Sequence, residues 1–266
     1  MQKNKKPVKE VVKPVLYGSW HGRDAWKMGA KMVLNILFVS LVYLLLSLLL
    51  TFDSLILRVI TALVLIAAAA GYMYSSGVAA GQKDAAFGEI LYARKQEGNR
   101  IAEEDLQRSF HPAKGFFAAL VGAAPYVLIA LVFAFLTQLS TYTLGVLPSW
   151  LTRYTRQSGI GDALAYYQDR SGFTAIAILR VAVRSMTLPF MNVAVKLGTD
   201  ATLWAERLSP LWVLVAPMGY GFGYRQGQKI RTKINTGIAI GVRKKKRNAR
   251  RERRRRTEKN KPEQLI

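Results

Sequence analysis

The feature that most constrains the fold of this sequence is a set of apolar runs long enough to cross a lipid bilayer. Residues 32–52 and residues 115–137 contain no Asp, Glu, Lys or Arg. An α-helix needs about 20 residues, at about 1.5 Å each, to cross the hydrocarbon core. Because a backbone in lipid must satisfy its hydrogen bonds internally, such runs predict transmembrane helices. The sequence therefore predicts an all-α, polytopic integral membrane helix bundle.

Four runs are assigned as spans, near residues 30–52, 55–81, 115–137 and 208–224. Only Asp53 and Ser54 separate the first two, which predicts a tight antiparallel hairpin. Arg58 lies one turn into the second run, where its side chain is expected to snorkel to the surface. The bundle, residues 30–224, is completed by a cytoplasmic loop at 82–114 and an external or interfacial region at 138–207. A short amphipathic helix is expected within the loop.

Basic residues predict the orientation of the spans. The net charge is +23, of which residues 1–31 carry +6 and residues 243–266 carry +10. With residues 1–31, which contain the N-terminal segment 1–29, inside together with the loop 82–114 and the tail 225–266, 31 Lys/Arg face the cytoplasm and seven lie outside. This asymmetry predicts that both termini are cytoplasmic. The compact, cysteine-free layout favours a bacterial plasma membrane.

Arg180 and Arg184 form the candidate site. They lie four residues apart, hence on one helical face, in the apolar stretch 173–197. Two termini on one side require an even number of crossings, so this stretch is expected to lie flat or to enter and return; a six-span alternative splits it into two short crossings. A charge at the bilayer centre costs about 2.5–3.5 kcal/mol, so the pair is expected to face water, a carboxylate, or an anionic ligand or lipid headgroup. A plain interfacial helix with arginines on its wet face is the competing interpretation.

Small residues mark candidate helix-packing surfaces. Gly77 and Gly81 end the second span, and Gly219, Gly223 and Gly227 end the last one. Glycines four residues apart allow helix backbones to approach closely in lipid. For the first pair we expect packing against the first or third span, with homodimerisation as the alternative.

The tail is a block of like charge, expected to be disordered free in solution. Its basic residues are Arg243, Lys244, Lys245, Lys246, Arg247, Arg250, Arg251, Arg253, Arg254, Arg255 and Arg256. Besides fixing the C-terminus inside, it is expected to adsorb to anionic lipid or to bind RNA or the ribosome through phosphates. No aromatic residue is interleaved, so nucleic-acid binding would be unspecific.

Motifs of catalysis are missing from the sequence. It has no cysteine and two histidines, and contains no His-Glu-x-x-His, no Gly-x-Ser-x-Gly and no phosphate-binding loop. We therefore expect no catalytic residues, no metal and no cofactor.

The predicted function is that of a non-enzymatic assembly or packing partner in a membrane complex. Its expected partners are the bilayer, anionic lipids at the termini and a membrane protein. One alternative is a permease or channel-like subunit that handles an anionic substrate or lipid headgroup. The other is a tail-mediated tether for RNA or the ribosome. A polar cavity at Arg180 and Arg184 would favour the first alternative, and a dry core would favour the assembly partner.

Overall fold

A computed structural model describes residues 11–49, 52–137, 150–167 and 175–259, and in these ranges every regular element is a helix. The helices are α1 (Arg23–Leu49), α2 (Leu55–Gln96), α3 (Glu103–Arg108), α4 (Lys114–Leu136), a 3-10 helix (Leu151–Arg156), α5 (Ile160–Tyr167), α6 (Ala175–Leu197), α7 (Thr199–Arg207) and α8 (Ser209–Lys259). The predicted all-α fold is confirmed for these residues.

Among the described residues, four helices are long and apolar enough to cross a membrane: Arg23–Leu46, Leu55–Gln96, Lys114–Leu136 and Ala175–Leu197. The first three overlap the predicted spans 30–52, 55–81 and 115–137, and the second contains 55–81 completely. The fourth is α6, where we expected a segment that does not cross singly. The predicted span at 208–224 lies in α8, which is not among the four because Pro, Gly, Tyr and Trp dilute its apolar residues.

The second apolar helix extends well beyond its predicted end. Helix α2 has 42 residues and continues through 82–96, which we had assigned to a polar loop. Asp84, Ala85 and Leu91 are buried at helical spacing, so this extension packs through one face. Helix α2 ends at Gln96. Two residues later, Gly98 has a positive φ of 82°, which lets the N–H of Asn99 bond to the carbonyl of Arg94 in a glycine-terminated cap.

The polybasic tail is helical, which corrects the expectation of disorder. Helix α8 continues without interruption from Ser209 to Lys259 over 51 residues. Arg, Lys, Ala and Glu are among the strongest helix formers. Because the tail prolongs a helix that is already packed, its first turn needs no new nucleation.

Helix α6 is kinked. Thr187 has non-helical dihedral angles (φ −114°, ψ 16°), two residues before Pro189, whose ring removes one backbone donor. Gly198 then takes a φ of 121°, a conformation that favours glycine, and α7 begins at the next residue. This turn brings α7 against α6.

The chain divides into two compact units. Unit 1 comprises Met1–Gly29, Tyr72–Ala119 and Met218–Ile266, and unit 2 comprises Ala30–Gly71 and Leu120–Pro217. Helices α1, α2, α4 and α8 each contribute residues to both units, whereas α6 belongs wholly to unit 2. The three basic segments expected in the cytoplasm fall mostly in unit 1.

Candidate anion-binding site

Arg180 and Arg184 both direct their guanidinium groups at a single carboxylate, that of Glu206 on α7. Arg184 donates from Nε to Glu206 Oε1 at 2.8 Å, and its Nη2 lies 2.6 Å from the same oxygen. Arg180 Nε lies 3.5 Å from that oxygen, within ion-pair range. The two arginines, one helical turn apart on α6, thus share one acceptor atom.

Glu206 is held rigidly within unit 2. The residue is 2% exposed, and its second oxygen, Oε2, accepts a hydrogen bond from the Thr137 hydroxyl. A buried carboxylate is stable only when it is paired and hydrogen-bonded, and both conditions hold here. Glu206 therefore acts as the fixed anchor for the two arginines.

Among the residues that the structure describes, two guanidinium groups face one carboxylate, so these three side chains carry a net charge of +1. Arg180 also lies over the ring of Phe133, with 5.9 Å from the guanidinium carbon to the ring centroid. Its Nε is buried and has no hydrogen-bond partner. Arg180 is thus the less fully satisfied member of the pair.

A cavity of about 320 Å³ opens beside the two arginines. Its charged lining residues are Arg180, Arg184 and Glu206. The rest of the lining comes from the end of α6, the turn at Gly198 and the start of α7: Val195, Gly198, Thr199, Thr202 and Leu203. The Thr202 hydroxyl donates to the Gly198 carbonyl at 2.8 Å, which stabilises this wall. The volume lies at the small end of the range for ligand pockets, about 300–1,000 Å³.

This arrangement can bind an anion. Guanidinium groups donate planar, charge-assisted hydrogen bonds to phosphate and carboxylate oxygens. Over the described ranges, no group of three or more His, Cys, Asp or Glu side chains is placed to hold a metal ion.

A second charged cluster lies in unit 1 and is fully packed. Lys114, at the start of α4, is 0% exposed and places its Nζ 2.7 Å from Asp24 Oδ2 and 2.8 Å from Asp84 Oδ2. The Tyr224 hydroxyl donates to Asp84 Oδ2 at 2.7 Å. Side chains from α1, α2, α4 and α8 therefore meet at this cluster.

Aromatic and small residues enclose the Lys114 cluster. Tyr224 is 0% exposed and stacks on Phe110 with ring centroids 5.2 Å apart. His111, next to Phe110, accepts a hydrogen bond at Nδ1 from the N–H of Ala113 at 3.2 Å, and burial lowers the pKa of its imidazole. Of the two histidines, His111 thus helps to begin α4.

Gly77 and Gly81 of α2 face α8 rather than the first or third span. A Cβ on Gly77 would meet the carbonyl of Tyr220, and one on Gly81 would lie 3.0 Å from the carbonyl carbon of Tyr224. On α8, a Cβ on Gly223 would meet the backbone of Tyr74, and a Cβ on Gly227 would lie 2.6 Å from the backbone nitrogen of Gln82. Gly219 is half-buried. The two helices therefore approach at backbone distance within unit 1.

Sequence reasoning found the two arginines but missed their partner, Glu206, and the whole Lys114 cluster. A usable signal was the acid at 206, close before the last apolar run and 22 residues from Arg184. Arg58 donates to the backbone carbonyls of Phe52, just before α2, and of Asn192 on α6, the latter at 3.2 Å. Its snorkelling to a membrane surface stays a prediction.

No protein-family model, curated protein or solved structure matches this chain.

Proposed function

We propose that this chain is a non-enzymatic, multi-pass membrane protein that binds an anionic group at Arg180 and Arg184. The observation that carries the proposal is the shared carboxylate. Two arginines converge on Glu206 beside a cavity of about 320 Å³, which leaves one positive charge for a ligand. A cavity at the two arginines favours the permease or channel-like alternative over a dry packing core.

The chemistry of the ligand follows from the donors. A phosphate or carboxylate oxygen suits a guanidinium fork, and a cavity of this size suits a small anion or a lipid headgroup. A phosphodiester headgroup and a free phosphate present the same oxygens, so experiment must separate the two sources.

We further propose both termini inside and four crossings by α1, α2, α4 and α8. Support comes from the division into units. These four helices have residues in both units, whereas α6 belongs to unit 2 alone. Near the start of α1, Trp20 and Trp26 each contact Phe117, and tryptophan is enriched at membrane–water interfaces.

The anion site is tested with the full chain purified in neutral detergent. Inorganic phosphate should raise its melting temperature, and Arg180→Lys with Arg184→Lys should remove most of that shift, because lysine keeps the charge but loses the planar fork. Native mass spectrometry should show whether phosphatidylglycerol is retained by the wild type and lost from the double variant. A phosphate shift without lipid retention identifies a soluble anion as the ligand.

Arg153→Lys with Arg156→Lys is the matched control, since these two exposed arginines of unit 2 lie on the 3-10 helix and do not line the cavity. It should behave as the wild type. Two results would overturn the proposal. One is an equal loss of the phosphate-induced rise in melting temperature in both double variants. The other is a wild type that neither responds to phosphate nor retains phosphatidylglycerol.

Topology is tested separately in the cysteine-free chain. A cysteine at Ser158 should react with an impermeant maleimide in intact cells, and one at Asn99 should react only after lysis. Both positions are exposed in their own units. Labelling of Asn99 in intact cells would contradict the arrangement of termini without bearing on phosphate binding. Assembly with a membrane protein partner stays a prediction, to be tested by crosslinking in the native membrane.

A further inference from the structure

The last part of α8 carries basic residues on every side. Residues 243–259 contain twelve Lys or Arg against Glu252 and Glu258. At 3.6 residues per turn, the twelve positions leave no arc wider than about 60° without a basic residue. Every residue from 241 to 253 is exposed. This segment, residues 243–259, is called the basic helix below.

The basic helix begins just beyond the packed part of α8. Asn235 donates to Glu89 on α2 at 2.7 Å, and the N–H of Val11 donates to the Thr236 hydroxyl at 2.9 Å. Beyond these contacts, a Cβ on Gly237 or Gly241 would meet nothing within 4 Å. The basic helix therefore projects about 25 Å from a fixed base.

Adsorption to the chain's own membrane does not suit this geometry. If α8 leaves the membrane near Tyr224, as proposed above, Arg243 lies about 28 Å further along the axis. A tilt of about 40° still leaves about 21 Å, more than two Debye lengths of about 8 Å. The basic helix also has no apolar face to insert, since Ala249 is its one apolar residue.

We propose that the basic helix binds the phosphate backbone of double-stranded nucleic acid, without sequence specificity. A helix that is basic all round matches a groove with phosphates on both sides, and the major groove of B-form DNA, about 12 Å wide, admits an α-helix. A flat anionic surface would contact one side of the helix alone.

The residue types favour a duplex over a single strand. Unspecific binding to single strands uses aromatic side chains on which bases stack, and residues 243–259 contain none. Sequence-specific recognition of base edges uses the amide side chains of Asn and Gln or arginines that form bidentate bonds to guanine. Asn248 is the one amide side chain in the segment. Binding should therefore depend on phosphate contacts and fall steeply with salt.

The test uses the full chain in neutral phosphatidylcholine nanodiscs, which makes the result independent of topology. Fluorescence anisotropy should show binding to 20-base-pair duplex DNA and duplex RNA, whose comparison identifies the source. Removing four charges by Arg250→Gln, Arg251→Gln, Arg254→Gln and Arg255→Gln should weaken duplex binding about 100-fold and reduce the slope of log affinity against log salt by about 3.6. Glutamine preserves the helix.

Two variants make the result specific. The control removes four exposed charges elsewhere, by Lys27→Gln, Lys31→Gln, Lys83→Gln and Lys95→Gln, and should bind duplexes as the wild type does. Asn248→Pro keeps every charge but breaks the helix and should weaken binding at least tenfold.

Three outcomes would overturn the proposal. They are equal loss of binding in the control, tighter binding to a single strand or to polyglutamate than to the duplex, and flotation with phosphatidylglycerol vesicles without duplex binding.

Discussion

The two charged clusters are opposites in composition and in packing. In unit 1, one cation, Lys114, lies between the carboxylates Asp24 and Asp84 and is fully buried. In unit 2, one buried carboxylate, Glu206, lies between two arginines whose side chains are 31% and 38% exposed. A cavity adjoins the second cluster.

The difference separates a structural role from a binding role. The Lys114 ammonium bonds to Asp24 and Asp84, and the Tyr224 hydroxyl bonds to Asp84, so the cluster ties four helices together. The arginines keep part of their donor surface accessible and hold an excess charge of the sign that a phosphate needs. Breaking each cluster should therefore have different consequences.

The largest effect is expected for Lys114→Ala. This change leaves Asp24 and Asp84 without their cation, and uncompensated buried charge costs about 3–5 kcal/mol. The yield of monodisperse protein and its melting temperature should both fall sharply. Lys83→Ala, an exposed lysine next to Asp84, is the control and should change neither.

The double variant Lys114→Met with Asp84→Asn sharpens the same point. It removes the buried cation together with one buried carboxylate and leaves Asp24, whose side chain is 29% exposed. Stability should recover most of the loss, because replacing a buried ion pair costs far less than breaking it. A double variant as unstable as Lys114→Ala would show that the ion pair itself is indispensable.

A smaller effect is expected where α2 and α8 touch. Gly81→Ala places a methyl group against the backbone of Tyr224, and such overpacking costs about 1–3 kcal/mol. Gly71→Ala on the same helix meets nothing within 4 Å and should be neutral or slightly stabilising. Thermal unfolding in detergent should separate the two variants. Equal melting temperatures would contradict the close approach.

The smallest loss of stability is expected for Glu206→Gln, because both arginines reach solvent. The affinity for an anion should increase, because the variant removes a negative charge near the ligand. One further charge, about 10 Å from the ligand at an effective dielectric constant near 20, interacts by about 1.7 kcal/mol, which is more than tenfold in affinity. Calorimetric titration with inorganic phosphate should show tighter binding, and weaker binding would place the anion elsewhere.

The sequence predicts the helices well and their contacts poorly. Apolar runs such as residues 115–137 can be recognised as helices from the sequence, because an uncharged stretch of this length in lipid has no alternative to a helix. The end of α2 at Gln96 was not predicted, because residues 82–96 are polar and only one of their faces is buried. Partners were not readable, because they depend on distant chain segments: Lys114 meets Asp84 across 30 residues and Asp24 across 90.

The arginine pair illustrates where prediction from the sequence ends. Helical spacing puts Arg180 and Arg184 on one face, and the cost of burying charge requires a partner. Which partner depends on the turn at Gly198, whose positive φ brings α7 and Glu206 back against α6. No periodicity in the sequence encodes that reversal.

The most direct test of the anion site is an experimental structure of the full chain with tungstate, a heavy tetrahedral anion that stands in for phosphate. We expect density for tungstate in the cavity, within about 4 Å of the guanidinium groups of both Arg180 and Arg184. This density should be absent from the variant that carries Arg180→Lys and Arg184→Lys. An empty cavity at saturating tungstate, with density confined to the basic helix, would contradict it.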